Sequence, residues 1–199
     1  MRVTTPVRIV DGLVPPRHDV SGRPEVGEYA PYAAGDVACV RGHDIVTALE
    51  SQTADMLDMF RGVNDADIAG CRYADGKWTV KEVLGHLIDD ERIFAYRALC
   101  IARGESTPLP GFEQDDYQRR ARHEERSLRS LLREYAVVRN ASIFVFWPLC
   151  HEEWVRRGTV TGYSATVRGL AFHIAGHELR HARVLTAEYL VRAGRAVRS

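Results

Sequence analysis

Three histidines at four-residue intervals, His173, His177 and His181, stand in the segment FHIAGHELRHARVL towards the end of the 199-residue chain. A helix turns by about 100° per residue, so His177 and His181 lie about 40° and one turn apart, and both imidazoles can reach one ion. They share their face with Leu170, Ile174 and Val184. Imidazoles inside an apolar stripe are costly to bury unless something ligates or hydrogen-bonds them. The alternative is a pair of core or surface histidines near a helix end; histidine's frequent role as a metal ligand favours the site. A third ligand then has to come from a facing helix, and His86, in VLGHLIDDER, is the obvious donor. It sits at the margin of a stripe of Val83, Leu87 and Phe94, about 40° from Asp90. Three neutral imidazoles with an open coordination position describe a catalytic first-row metal site rather than a structural one, with Zn2+, Ni2+ or Fe2+ as candidates.

Residues 177–181 also spell H-E-L-R-H, a match to the HExxH helix of metalloproteases. The surroundings of that motif are missing. Leu185 and Ala187 do not supply the Gly/His pattern of its longer form, and no strand is apparent to hold a peptide. The only carboxylate after His181 is Glu188, on the same helix about 10 Å further along. Glu178 is still a candidate general base beside a metal-bound water, which leaves a metal-dependent hydrolase as an alternative. Asp90, one turn from His86, is a candidate to orient that imidazole by accepting its second N–H, or to act as a base; otherwise it is a solvated residue or a partner for Arg97. Arg97, on the same face, is expected to pair with Asp90 or Glu91, or else to meet an anionic substrate. Cys100 is expected in the core. His173 is a candidate fourth ligand or a contact to a ligand.

These residues must be held by helices, and the helix carrying His86 is the best marked. Thr79 and Glu82 form a capping box, and Trp78 and Val83 occupy the two positions of a hydrophobic staple. Its pattern runs to about residue 103, where Gly104, Pro108 and Pro110 stop it. Apolar spacing predicts three further helices over about residues 36–62, 114–146 and 164–192. Four helices with apolar stripes predict an all-α, four-helix bundle over residues 35–199. Residues 1–34 carry Pro6, Pro15, Pro16, Pro24 and Pro31 and are expected to form an extended N-terminal arm. Residues 2–10 and 153–161 are the only, weak, candidates for strands.

Composition narrows the function. Basic and acidic residues number 27 each, so the formal charge is zero, which argues against a dedicated nucleic-acid binder. No apolar run approaches the roughly 20 residues of a membrane span, and the first residues have no apolar signal-peptide core. Cys39, Cys71, Cys100 and Cys150 are scattered without a CxxC pair, as expected of reduced thiols in a cytoplasmic protein.

GKWTVKEVLGHLIDDER at 76–92, AYRALCIARGESTPLPGFEQDDY after it and AGHELRHARVL near the end together resemble the DinB-like (YfiT-like) family of metal-binding four-helix bundles. The resemblance covers about residues 27–190. It implies His86, His177 and His181 as the three metal ligands, with Zn2+ or Ni2+ at an open site, and a homodimer across which the Pro-rich arm would strap. Some relatives are thiol S-transferases using bacillithiol or mycothiol, and one branch is a mycothiol-dependent isomerase. Arg180 stands where close relatives often have another histidine, and His173 where an aromatic is usual. The leading expectation is a metal-dependent thiol S-transferase acting on a small-molecule thiol and an electrophile. The alternatives are the hydrolase with Glu178 as base and a non-enzymatic, stress-associated metal-binding protein.

Overall fold

The structure, a computed structural model, describes residues 21–72 and 74–190. Four helices make the bundle: α2 (Ile45–Met59), α3 (Val80–Ala102), α5 (Leu128–Phe146) and α7 (Val167–Val184). Three shorter helices accompany them: α1 (Ala34–Cys39), α4 (Gln114–Ala121) and α6 (His151–Trp154). The last helix runs on into a π-helical stretch, Leu185–Leu190. In cross-section the order is α2, α5, α3, α7, because α3 packs beside α5 and α7, and so does α2. Thus α2 and α3, consecutive in the chain, are diagonal partners.

The core has two apolar clusters, one at each end of the bundle. One gathers Ile45, Leu49, Phe94, Ala98, Phe146 and Phe172; the other gathers Met56, Leu84, Leu87, Leu131, Tyr135 and Leu185. α2 and α7 therefore run from the first cluster to the second, and α3 and α5 run the opposite way.

The capping box at Thr79 and Glu82 is present as expected, with both reciprocal hydrogen bonds made. Trp78 packs with Val83 in the second cluster, so the staple holds. Two expected helices are broken where local chemistry offers a better start. The first is interrupted over residues 40–44, where Gly42 has φ +82° and Asp44 caps α2 by accepting from the N–H groups of Val46 and Thr47. The third is cut at Arg122, whose left-handed φ of 54° ends α4, and restarts at Ser127, which caps α5. The weak strand signal at 153–161 becomes β1 (Arg157–Val160), which pairs antiparallel with β2 (Tyr163–Thr166). Thr161 and Gly162, both at positive φ, form the two-residue turn between them. The other weak strand candidate, residues 2–10, lies outside the described residues.

Residues 21–33 of the expected arm lie against this chain's own bundle. Ser21 is buried and bridges to the His43 carbonyl, and Glu28 is buried between Arg168 and Thr166. The chain then enters α1, which lies along α7. Two glycines seven residues apart on α7 make room for this segment, Gly169 for Glu28 and Gly176 for α1. A Cβ at Gly169 would stand 2.1 Å from the Glu28 carbonyl oxygen, and one at Gly176 would stand 1.9 Å from that of Asp36. No described helix is long and apolar enough to cross a membrane, and all four cysteines are free thiols.

Candidate metal centre

α3 and α7 run antiparallel, so the first turns of α3 meet the last turns of α7. This brings together the three histidines chosen from the sequence. His177 Nε2 lies 3.1 Å from His86 Nε2 and 3.1 Å from His181 Nε2. His86 is buried, while His177 and His181 are partly exposed, which puts the cluster at the rim of the bundle. The Trp78 ring stands 4.7 Å from that of His86, so the staple also walls one side of the cluster.

Ring nitrogens this close could hold a shared cation. Two nitrogens about 2.0–2.1 Å from one ion at the tetrahedral angle are separated by about 3.3–3.4 Å, a little more than the spacing here. Burial, reinforced by the nearby His177, pushes the His86 pKa down to about 4. Burial and the neighbouring His177 and His86 push His181 down to about 3. Both imidazoles are therefore neutral at ordinary pH, the state a metal ligand requires. His177 Nδ1 faces Asp90 Oδ2 at 3.2 Å. A carboxylate there favours the tautomer protonated at Nδ1, in which Nε2 would be free to face an ion.

Asp90 therefore stands behind a ligand, but behind a different one from that expected. It reaches His177 across the helix interface rather than His86 on its own helix. Its other neighbour is His173, whose Nε2 lies 3.5 Å from the same Oδ2. His173 Nδ1 is 3.0 Å from Asp36 Oδ2, and Asp36 Oδ1 accepts from Arg180 at 2.7 Å. These His–Asp contacts have ion-pair length without the alignment of hydrogen bonds. Burial opposes charge on His173, but Asp36 and Asp90 outweigh it and raise its pKa to about 9. Burial likewise opposes charge on Asp90, and its pKa is nevertheless lowered by His177 and His173.

Glu178 does not join the cluster. One residue after His177, it points about 100° away, into the bundle. There its carboxylate meets the Arg139 guanidinium and accepts the Tyr135 hydroxyl at 3.0 Å. Burial raises its pKa, and Arg139 opposes the rise. Arg139 also donates to both Glu91 oxygens, at 2.8 and 3.0 Å, and to the Leu49 carbonyl. A general base at the cluster is thus not what this side chain is placed to be. Arg97 pairs with neither expected carboxylate: it donates to the Pro110 carbonyl and lies over the Phe94 and Phe112 rings. Cys100 is only half-buried at the edge of the first cluster, and Val184, expected on the apolar face, is 36% exposed.

Sequence reasoning missed Asp36, Arg139 and Tyr135. The pair Gly169 and Gly176 was a usable sign that another segment crosses α7. Nothing local marks Arg139 as a core residue.

The DinB superfamily model matches residues 48–185, from α2 to the π-helical end of α7. The chain belongs to the DinB superfamily. The matched region of this DinB superfamily chain includes all three clustered histidines and Asp90, but not Asp36. A search of curated proteins finds no match. Among solved structures, the chain is similar to YfiT from Bacillus subtilis, described as a probable metal-dependent hydrolase with an unusual four-helix bundle topology. That similarity has a TM-score of 0.70 at 17% identity, covering 86% of this chain and 97% of YfiT. It establishes the shared four-helix fold.

Proposed function

We propose that this DinB superfamily protein is a metal-dependent thiol S-transferase, with His86, His177 and His181 as the ligands of a divalent ion, Zn2+ or Ni2+ first and Fe2+ next. The observation that carries the reading is a rim cluster of three imidazole nitrogens, with Glu178 turned into the core and Asp90 set behind His177 on the side away from its Nε2. A divalent ion held there supplies Lewis acidity, which stabilises the deprotonated form of a bound nucleophile. A thiol with a pKa of about 8.5 needs far less help than water at about 15.7, so a centre whose two nearby carboxylates are engaged elsewhere, Glu178 with Arg139 and Asp90 behind His177, suits a thiol. Asp90, 3.2 Å from His177 Nδ1, favours the ring proton at that nitrogen, which would leave Nε2 available. Trp78 limits approach on the His86 side, leaving the partly exposed His177 and His181 side for the thiol and its electrophile.

A metal-dependent hydrolase is the second reading, and the fold it shares with YfiT is the observation in its favour. It would need a base other than Glu178.

The test begins with metal content by mass spectrometry on protein purified without an affinity tag or chelator, wild type beside His177→Ala. About one Zn, Ni or Fe per chain is expected, with loss in the variant. The metal-loaded protein is then given a bimane or chlorodinitrobenzene electrophile with and without cysteine. Consumption that needs both thiol and metal supports the transferase. Thiol-independent ester cleavage transfers the assignment to the hydrolase, and absence of metal even after reconstitution leaves a non-enzymatic binding protein.

A further inference from the structure

The polar groups behind His177 form a longer series than one orienting carboxylate requires. Asp90 Oδ2 lies between two ring nitrogens, His177 Nδ1 at 3.2 Å and His173 Nε2 at 3.5 Å. The opposite nitrogen of His173 meets Asp36 at 3.0 Å. Asp90, His173 and Asp36 are all more than nine-tenths buried. His173 also lies against the Phe94 ring, with centroids 4.0 Å apart, and stacks on His177 at 5.4 Å and 12°.

Packing alone does not account for an imidazole here. Phenylalanine would fill the space beside Phe94 without burying two ring nitrogens whose contacts lack hydrogen-bond alignment. Buried polar groups that are incompletely satisfied are costly and call for a reason beyond packing, a functional role among them. Asp36 is brought from outside the four-helix ring. It rides on α1, which reaches α7 only because residue 176 has no side chain. That close approach puts one carboxylate over His173 and Arg180, seven residues apart on α7.

We propose that His173 and Asp36 are positioning residues of the metal centre, acting on His177 through Asp90. The inference rests on the three-histidine metal reading above. With one ring nitrogen at Asp36 and the other at Asp90, His173 cannot rotate without losing both contacts. Asp90 is in turn held between two rings, and His177 keeps the orientation that presents Nε2. The α1 segment thus belongs to the centre although it supplies no ligand.

The experiment measures Zn2+ affinity by competition with a chromophoric chelator, and the visible spectrum of the Co2+-loaded protein. The proteins are wild type, Asp36→Asn, His173→Phe and Glu28→Gln. Glu28→Gln loosens the same N-terminal segment at its Arg168 anchor without touching the series, and so controls for packing. Asp36→Asn and His173→Phe are expected to weaken Zn2+ binding about tenfold and to alter the Co2+ bands, while Glu28→Gln stays within about twofold of wild type. Zn2+ binding by wild type and Asp36→Asn with equal affinity overturns the inference and leaves the metal centre standing. Equal losses in Asp36→Asn and Glu28→Gln, or a loss with unaltered Co2+ bands, assign Asp36 to packing and overturn it as well. A wild type that binds no Zn2+ removes the centre and the inference together.

Discussion

His177 and Glu178 are consecutive, as are Asp90 and Glu91, and about 100° of helical turn sends the members of each pair to different places. The first of each pair faces the histidine cluster, and the second faces Arg139. The H-E-L-R-H string therefore has a physical reading distinct from that of a protease helix: its histidines converge and its glutamate belongs to the core. Glu178→Gln is expected to keep the wild-type metal content and to lower unfolding stability by about 1–3 kcal/mol, since a buried charged hydrogen-bond acceptor is lost. Metal analysis and urea unfolding of one preparation check both halves. Loss of metal at unchanged stability would return Glu178 to the site.

At the scale of elements, the contact of α1 with α7 depends on the missing side chain at residue 176. Gly176→Ala would put a methyl group 1.9 Å from the Asp36 carbonyl, and the backbones must separate. A cost of about 1–3 kcal/mol is expected, as for other overpacked sites, measured as a lowered urea midpoint. The Glu28 anchor adds a pH dependence. Burial alone would raise its pKa, but the hydrogen bonds from Arg168 and Thr166 and the Arg168 charge outweigh it and lower the pKa below the ordinary 4.5. A group depressed in the folded state stabilises fully above its unfolded pKa and loses that contribution as pH falls through the folded one. The stability gap between wild type and Glu28→Gln is therefore expected to be widest near neutrality and to shrink below about pH 4.5. Thermal melts across that range would show it, and a gap independent of pH would contradict it. What could be read from the sequence follows the same division. Thr79, Glu82 and the i, i+4 histidines are local patterns, written within one or two turns, and they were legible. The helix break at residues 40–44 is hidden because Val40 and Ile45 keep roughly helical spacing across it, and that at 122–127 because a charged run also reads as the exposed face of a helix, although Asp44 and Ser127 are ordinary caps. Asp90 was legible as an orienting carboxylate but not its partner, because the register of α3 against α7 is set by packing between helices. Asp36 was further still from view, since its position depends on α1 crossing α7 at Gly176.

Across the whole molecule, Arg139 joins all four helices of the bundle. From α5 it reaches the Leu49 carbonyl on α2, Glu91 on α3 and Glu178 on α7. This polar layer lies between the two apolar clusters. Replacing Arg139 by methionine leaves two buried carboxylates facing each other without their cation, and a loss of about 3–5 kcal/mol is expected. The triple variant Arg139→Met, Glu91→Leu, Glu178→Met removes the whole layer and is expected to recover most of that loss. Denaturant unfolding of the single and triple variants decides between a layer held by mutual pairing and one that contributes nothing. The side-by-side arrangement of cluster and layer also governs which changes in chain length the protein tolerates. Deleting one residue early in α3 or α7 rotates everything beyond it by a little over a quarter turn, bringing carboxylates of the Arg139 layer to the places of cluster residues and carrying those residues past the cluster, as when Glu178 takes the place of His177 and His177 that of Gly176. Insertions and deletions are thus confined to the connections, such as residues 61–78 or 103–113, while the reading frame of the long helices is held fixed by two neighbouring pairs of residues.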